Sequence, residues 1–288
     1  MNYLNRRKFI RRTAFGASAV FATAQMPSLL KAEGTSRFID HPIGFQSFSV
    51  RDLIGKDFSA TLRMMAGLGY QQVEMCSPAG YVSSGFGPLT SLKGAEMKKI
   101  IEDAGLHCPS CHFTFGELTD KLDDRIAFAK DLGLSQMICS SFWLAQTATL
   151  KDYLDSVDKL NKIAEKIARA GMETGFHNHD MEFKLLDGQL IYDALMSHFD
   201  PSLVKMQFQT EVINLGFKAA DYFNKYPGRF ISAHLSDWTA DKKQVPIGQG
   251  IIDWKTFFAA AKTGGVKNFF VEMDLGTMTA SADYIKSL

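Results

Sequence analysis

The chain has 288 residues, 46% of them hydrophobic, and 32 Lys+Arg against 31 Asp+Glu for a formal net charge of +1. That balance excludes a protein drawn to nucleic acid or an anionic membrane by a global field. The apolar content allows a large core, enough for one barrel of about 250 residues.

In chain order a leader comes first. It starts with Arg6-Arg7-Lys8-Phe9-Ile10 and Arg11-Arg12, continues through small apolar residues from Ala14, and ends in Ala22-Thr23-Ala24. A basic region, a short apolar region and an A-x-A site make a cleavable export signal over residues 1–24. The apolar stretch is too short to span a bilayer comfortably. The arginine pair followed by Lys-Phe-Ile resembles a twin-arginine signal. The expectation is a periplasmic protein with no membrane anchor in its mature form, beginning near Gln25 with a lead-in segment over 25–42.

Beyond the lead-in, a rhythm sets in. The joints MMAGLGYQQVE, IEDAGLHCPSCH, AKDLGLSQMICSS, IARAGMETGFHNH and AAKTGGVKNFFVE each run from a helical pattern through glycine into a short apolar stretch. Glycine suits the left-handed position just past a helix end. The stretches that follow are too short for a second helix and are rich in strand formers. Repetition at roughly 28 to 38 residues is the cadence of βα units.

Eight strands are predicted: Ile43–Val50, Gln72–Cys76, His107–Thr114, Met137–Trp143, Glu173–His179, Val204–Glu211, Phe230–Asp237 and Asn268–Asp274. The clearest helix is Lys151–Ala170, where Leu154, Val157, Leu160, Ile163, Ala164 and Ile167 form one apolar stripe. Parallel strands need right-handed crossovers. With eight of them the expected α/β fold is a single (β/α)8 TIM barrel over 43–288.

The four cysteines are Cys76, Cys108, Cys111 and Cys139. Cys108-Pro-Ser-Cys111 has redox spacing. A redox pair, however, sits at a helix N-terminus, and this one falls within a predicted strand, so buried structural thiols are expected.

In such a barrel the C-terminal ends of the strands carry the active site. There the sequence places Glu74, His112, His177, His179, Gln209, Glu211, His234, Asp237, Glu272 and Asp274, with Glu182 just beyond the fifth strand. Residues two apart in a strand share a face, so His177 pairs with His179 and Gln209 with Glu211. Imidazole and carboxylate from neighbouring strands suit Mn, Co, Zn or Fe. Each residue alone also has a structural reading, as a hydrogen-bonded core histidine or a helix cap. Their convergence on one rim favours a site.

At HNHDMEF (177–183) the chain resembles the xylose isomerase-like TIM-barrel superfamily, in its sugar phosphate isomerase/epimerase branch. Further landmarks are GFQSFSVRD, GYQQVEM, KYPGRFISAHLSDW, VPIGQGIIDW and VEMD, and together they cover the chain from about Ile43 to its end. The resemblance implies one divalent metal, manganese first and Co, Zn, Fe or Mg as alternatives, between ligands on strands five to eight. Carried over, the ligands are His234, Glu272, Gln209 and Glu182, with His177 as the alternative on the fifth strand. Gln209 stands where relatives have aspartate; an uncharged amide oxygen is a weaker ligand for a hard cation.

The implied chemistry is proton abstraction next to a sugar carbonyl, giving an isomerase or epimerase, with Glu74, His112, His177 and His179 as acid/base candidates. Trp143, Glu211, Asp237 and Trp238 are expected to contact substrate; Trp254 and Phe115 are further flat faces. No basic cluster or Gly-rich phosphate loop is evident. An exported protein also meets few phosphorylated sugars, so a free sugar or keto-glycoside is the expected substrate. A keto-glycoside lyase or hydratase is the alternative enzyme, and an inactive carbohydrate-binding barrel the alternative class. No nucleic-acid partner is expected, and the sequence leaves oligomerisation open.

Overall fold

The structure, a computed structural model, describes residues 41–288; the expected leader and most of the lead-in segment lie outside them. Eight parallel strands close into a barrel: β1 Ile43–Gln46, β2 Gln72–Cys76, β3 His107–Phe113, β4 Gln136–Cys139, β5 Glu173–His177, β6 Val204–Gln209, β7 Phe230–Leu235 and β8 Asn268–Val271. β1 closes on both β2 and β8. Helices fill the intervals, and the chain ends on the helix Leu275–Ser287. The long helix spans Leu150–Arg169 and buries Val157, Leu160, Ile163, Ala164 and Ile167 against the barrel. Thr149 caps it, accepting the Asp152 N–H. Among the described residues no helix is long and apolar enough to cross a membrane.

The glycines of the five joints explain the rhythm. Gly69, Gly105, Gly133, Gly171 and Gly265 all have φ between +81° and +95°, a conformation in which a Cβ is penalised. Each stops a helix and turns the chain into the next strand.

Several strands are shorter than the sequence suggests. After Gln46 the chain turns into a 3-10 helix, Ser47–Val50, and after Gln209 into another, Thr210–Leu215. In both places the glutamine side chain at the strand end accepts a backbone N–H of the new turn, from Phe48 and Glu211 respectively, which competes with continued pairing. β4 stops at Cys139 and β5 at His177, where their chains leave the sheet to form the site. All four cysteines are free and buried. Burial pushes the Cys108 thiol up to about 12 and raises the other three; inert core thiols behave this way.

Candidate active site

Strand register assembles a buried polar layer. Gln46 lies beside Glu74 across β1–β2, Glu74 beside Ser110 across β2–β3, and Gln207 beside Ser232 across β6–β7. The Glu74 carboxylate is their hub. It accepts from Gln46 Nε2 at 2.6 Å, Ser110 Oγ at 2.5 Å and Gln207 Nε2 at 2.8 Å. His234 Nε2 donates to it at 2.5 Å, and His112 Nε2 lies 3.2 Å away. Gln207 also accepts from His112 Nε2 at 2.6 Å. Glu74 is fully buried. Burial alone would raise its carboxyl, but the His112 and His234 rings hold it below the usual carboxylate range.

His234 is bonded on both sides. Its Nε2 meets Glu74 and its Nδ1 meets Glu272 Oε2 at 2.8 Å. A ring whose two nitrogens both face carboxylates is an imidazolium. Burial opposes that charge, yet Glu272 and Glu74 push His234 up to about 9. Glu272 in turn is held low: burial would raise it, but His234 dominates. Gln209 Nε2 donates to the same Glu272 oxygen at 2.6 Å.

Above this layer opens a cavity of about 430 Å³ at the C-terminal mouth of the barrel. Its polar wall includes His112, His177, His179, Gln209, Glu211 and Glu272, and its aromatic wall Phe48, Tyr81, Trp143 and Trp238. The three rings of His112, His177 and His234 pack within 5.1 Å of one another, centroid to centroid. One ring nitrogen from each lies within 4.8 Å of the others, a grouping that could hold a metal ion. The Nδ1 atoms of His177 and His179 are buried without a partner. Burial and the neighbouring histidines lower both rings, His179 to about 4 and His177 well below its usual value, so both are neutral at pH 7. Glu211 moves the other way: burial and the nearby Glu272 raise its carboxyl.

Three expected roles need correction. Glu74 is fully buried and does not line the cavity; it meets His234 and His112 instead. Glu182 does not line the cavity with Glu272. The chain after His177 turns into the 3-10 helix Met181–Phe183, which aims the Glu182 carboxylate at Ser141 Oγ (2.6 Å) and the His179 N–H (2.8 Å). Burial lifts Glu182 to about 7. Asp237 is also no substrate contact. Its carboxylate accepts from the Trp238, Gly248, Gly250 and Ile252 N–H groups and from Trp254 Nε1, so it pins the loop after β7. Trp254 is buried with that loop rather than offered to a ligand.

Sequence reasoning missed Gln207, the side chain that joins His112 to Glu74. The strict alternation Gln207, Gln209, Glu211 could have shown it. It also missed Arg51 and Tyr81 on the cavity wall, which come from the short helix Arg51–Ile54 after β1 and the loop after β2 and carry no periodic signal.

The family described as Xylose isomerase-like TIM barrel matches residues 62–287. No curated protein sequence matches the chain. Among solved structures, a sugar phosphate isomerase/epimerase from Parabacteroides distasonis ATCC 8503 superposes with a TM-score of 0.75 at 20% identity, over 88% of this chain and 98% of that one. A D-allulose 3-epimerase from Methylomonas sp. gives 0.62 at 14% identity, over 86% and 97%. A xylose isomerase-like TIM barrel protein from Mycobacterium smegmatis, in complex with magnesium, gives 0.63 at 16% identity, over 86% and 96%. At these identities the likeness is one of fold. The family match spans most of the barrel, from the first long helix to the last, and the chain belongs to the xylose isomerase-like TIM barrel family.

Proposed function

We propose that the cavity catalyses proton abstraction next to a carbonyl of a non-phosphorylated sugar or keto-glycoside, with isomerisation or epimerisation as the outcome. The observation that carries this reading is the chain Glu74–His234–Glu272, which runs from the barrel interior to the cavity wall beside two neutral imidazoles whose Nδ1 atoms have no partner. Proton abstraction needs bases that are free at neutral pH. His177 and His179 supply neutral rings, and Glu211 a carboxyl that burial and Glu272 raise above its ordinary value. The aromatic wall of Trp143 and Trp238 suits the apolar face of a sugar ring. Fold neighbours that are epimerases and isomerases are consistent with the same general kind of reaction.

The residues fit a divalent cation. Glu74 commits His234 Nε2 and thereby directs Nδ1 toward Glu272, a second-sphere arrangement that prepares a histidine ligand. The buried, unpartnered Nδ1 of His177 is a further free donor atom. His177, Glu272 and His234, the last after losing its Nδ1 proton, would hold the cation, with His112 and Gln209 beside them. When bound, a cation such as manganese would supply Lewis-acid polarisation of a substrate oxygen. The chain's own residues do the rest: Glu74 holds the His234 ring in place, neutral His179 and Glu211 accept and return the proton, and the aromatic wall excludes water.

The twin-arginine-type leader supports a periplasmic location, and with it a non-phosphorylated substrate. Chelated and Mn2+-loaded protein should be assayed against free ketoses and 3-keto-glucosides beside their phosphorylated counterparts. Turnover of the unphosphorylated compounds, stimulated by Mn2+, is expected. Turnover confined to phosphorylated sugars would overturn the substrate class.

A further inference from the structure

We infer that Ser141 and Glu182 form a clamp that holds Trp143 against His179 as one wall of the cavity, which makes Glu182 a positioning residue rather than a metal ligand. The inference rests on the proposed function only in treating that wall as a substrate wall.

The segment after β4 is strained at two places. Ser141 has φ +94° and Trp143 φ +51°, and neither is glycine. A bulky residue with positive φ is a genuine outlier, and such conformations persist only where the surroundings impose them. What imposes them here is Glu182. One carboxylate oxygen accepts the Ser141 hydroxyl at 2.6 Å and the other accepts the His179 backbone N–H at 2.8 Å. The same side chain therefore ties the loop after β4 to the loop after β5. Glu182 is fully buried and Ser141 is too, so water does not compete for these bonds.

The product of the clamp is visible one residue further on. Trp143 is 55% exposed, yet its indole lies 4.6 Å from the His179 ring, centroid to centroid, at 52°. An exposed tryptophan on a strained backbone has little packing of its own to fix it. Its position against His179 follows from the two bonds beneath. Both rings line the cavity, so the clamp sets where this joined indole–imidazole wall stands.

The test compares Ser141→Ala, Glu182→Gln and Glu182→Ala in the full chain. Three readouts apply: amide exchange over residues 140–147, the fluorescence contributed by Trp143 (each protein against its own Trp143→Phe version), and Mn2+ binding by titration. Ser141→Ala should speed exchange in that segment about tenfold and shift Trp143 emission to longer wavelength, because an indole leaving the His179 ring gains contact with water. Glu182→Gln retains an acceptor oxygen and should restore part of the protection lost in Glu182→Ala. If Glu182→Ala fails to fold, Ser141→Ala carries the comparison, since it removes one hydroxyl. Mn2+ binding should match the unmutated protein in every folded variant. Unchanged exchange and emission in Ser141→Ala, or Mn2+ binding lost with Glu182→Gln while the loop stays protected, would overturn the inference. None of these readouts uses turnover, so an error in the assigned reaction leaves them intact.

Discussion

The polar layer around Glu74 and the histidines of the cavity wall are neighbours with opposite bonding. Around Glu74 the groups are paired: one carboxylate accepts from two amides, a hydroxyl and a histidine. On the wall above, His177 and His179 each keep a buried Nδ1 with no partner. Buried polar groups are nearly always satisfied, so the paired layer reads as scaffold and the unpaired one as a place for a ligand. The lower region sets the charge state of His234 and Glu272; the upper one is left open for chemistry.

The largest effect should come from breaking the lower region at its hub. Glu74→Gln leaves the buried His234 imidazolium with one carboxylate instead of two. Removing one partner of a buried ion pair costs about 3 kcal/mol or more, measurable as a shift in the urea midpoint. Activity should fall with it, even though Glu74 does not touch the cavity. Next come the residues that join the two regions. His234→Ala and Glu272→Gln should each lower turnover at least about a hundredfold, the scale of a lost acid/base or metal contribution. Both should also weaken Mn2+ binding in a titration.

Intermediate in size is the response to pH, read from the metal-free protein. His234 is raised to about 9, so its contribution is complete below the ordinary histidine value near 6.5 and is lost as pH rises through 9. His179 is lowered to about 4, so below 6.5 the unfolded chain takes up the proton first and stability falls as pH drops toward 4. Each arm amounts to something on the order of 3 kcal/mol. Glu182, lifted to about 7, opposes the His179 arm, because its raised carboxyl loses stability as pH rises above 4.5. The clear signature in unfolding followed by circular dichroism therefore lies on the alkaline side. Stability should fall as pH rises from 6.5 through 9, and no fall there would contradict the imidazolium assigned to His234. The smallest effect sharpens the comparison at its boundary. Gln209→Asp adds a charge beside Glu272 and should tighten Mn2+ binding roughly tenfold, while removing the amide that now donates to Glu272.

The barrel itself was readable because its signals are periodic and local: glycines that need positive φ, apolar stretches of strand length, and one strongly amphipathic helix. The gathering of His112, His177, His179, Gln209, Glu211 and Glu272 around one cavity followed from placing them at strand ends. The errors arose where the chain leaves the strand pattern. HNHDMEF reads as strand followed by loop, and nothing in its spacing reveals the single 3-10 turn that swings Glu182 toward Ser141. Asp237 looks like any other strand-end carboxylate until the loop through Gly248 and Gly250 folds back over it. Gln207 went unnoticed because an uncharged side chain within a strand reads as filler until the facing strands bring Glu74 and His112 to it.

The most direct test of the proposed chemistry is turnover of a ketose or a 3-keto-glucoside in heavy water, with the product examined by mass spectrometry and NMR. Abstraction and return of a proton next to the carbonyl predicts one deuterium on that carbon in an isomerised or epimerised product. An unsaturated product would instead assign the lyase outcome of the same first step. Turnover that leaves the carbon fully protiated, with no unsaturation, would contradict proton abstraction at this site.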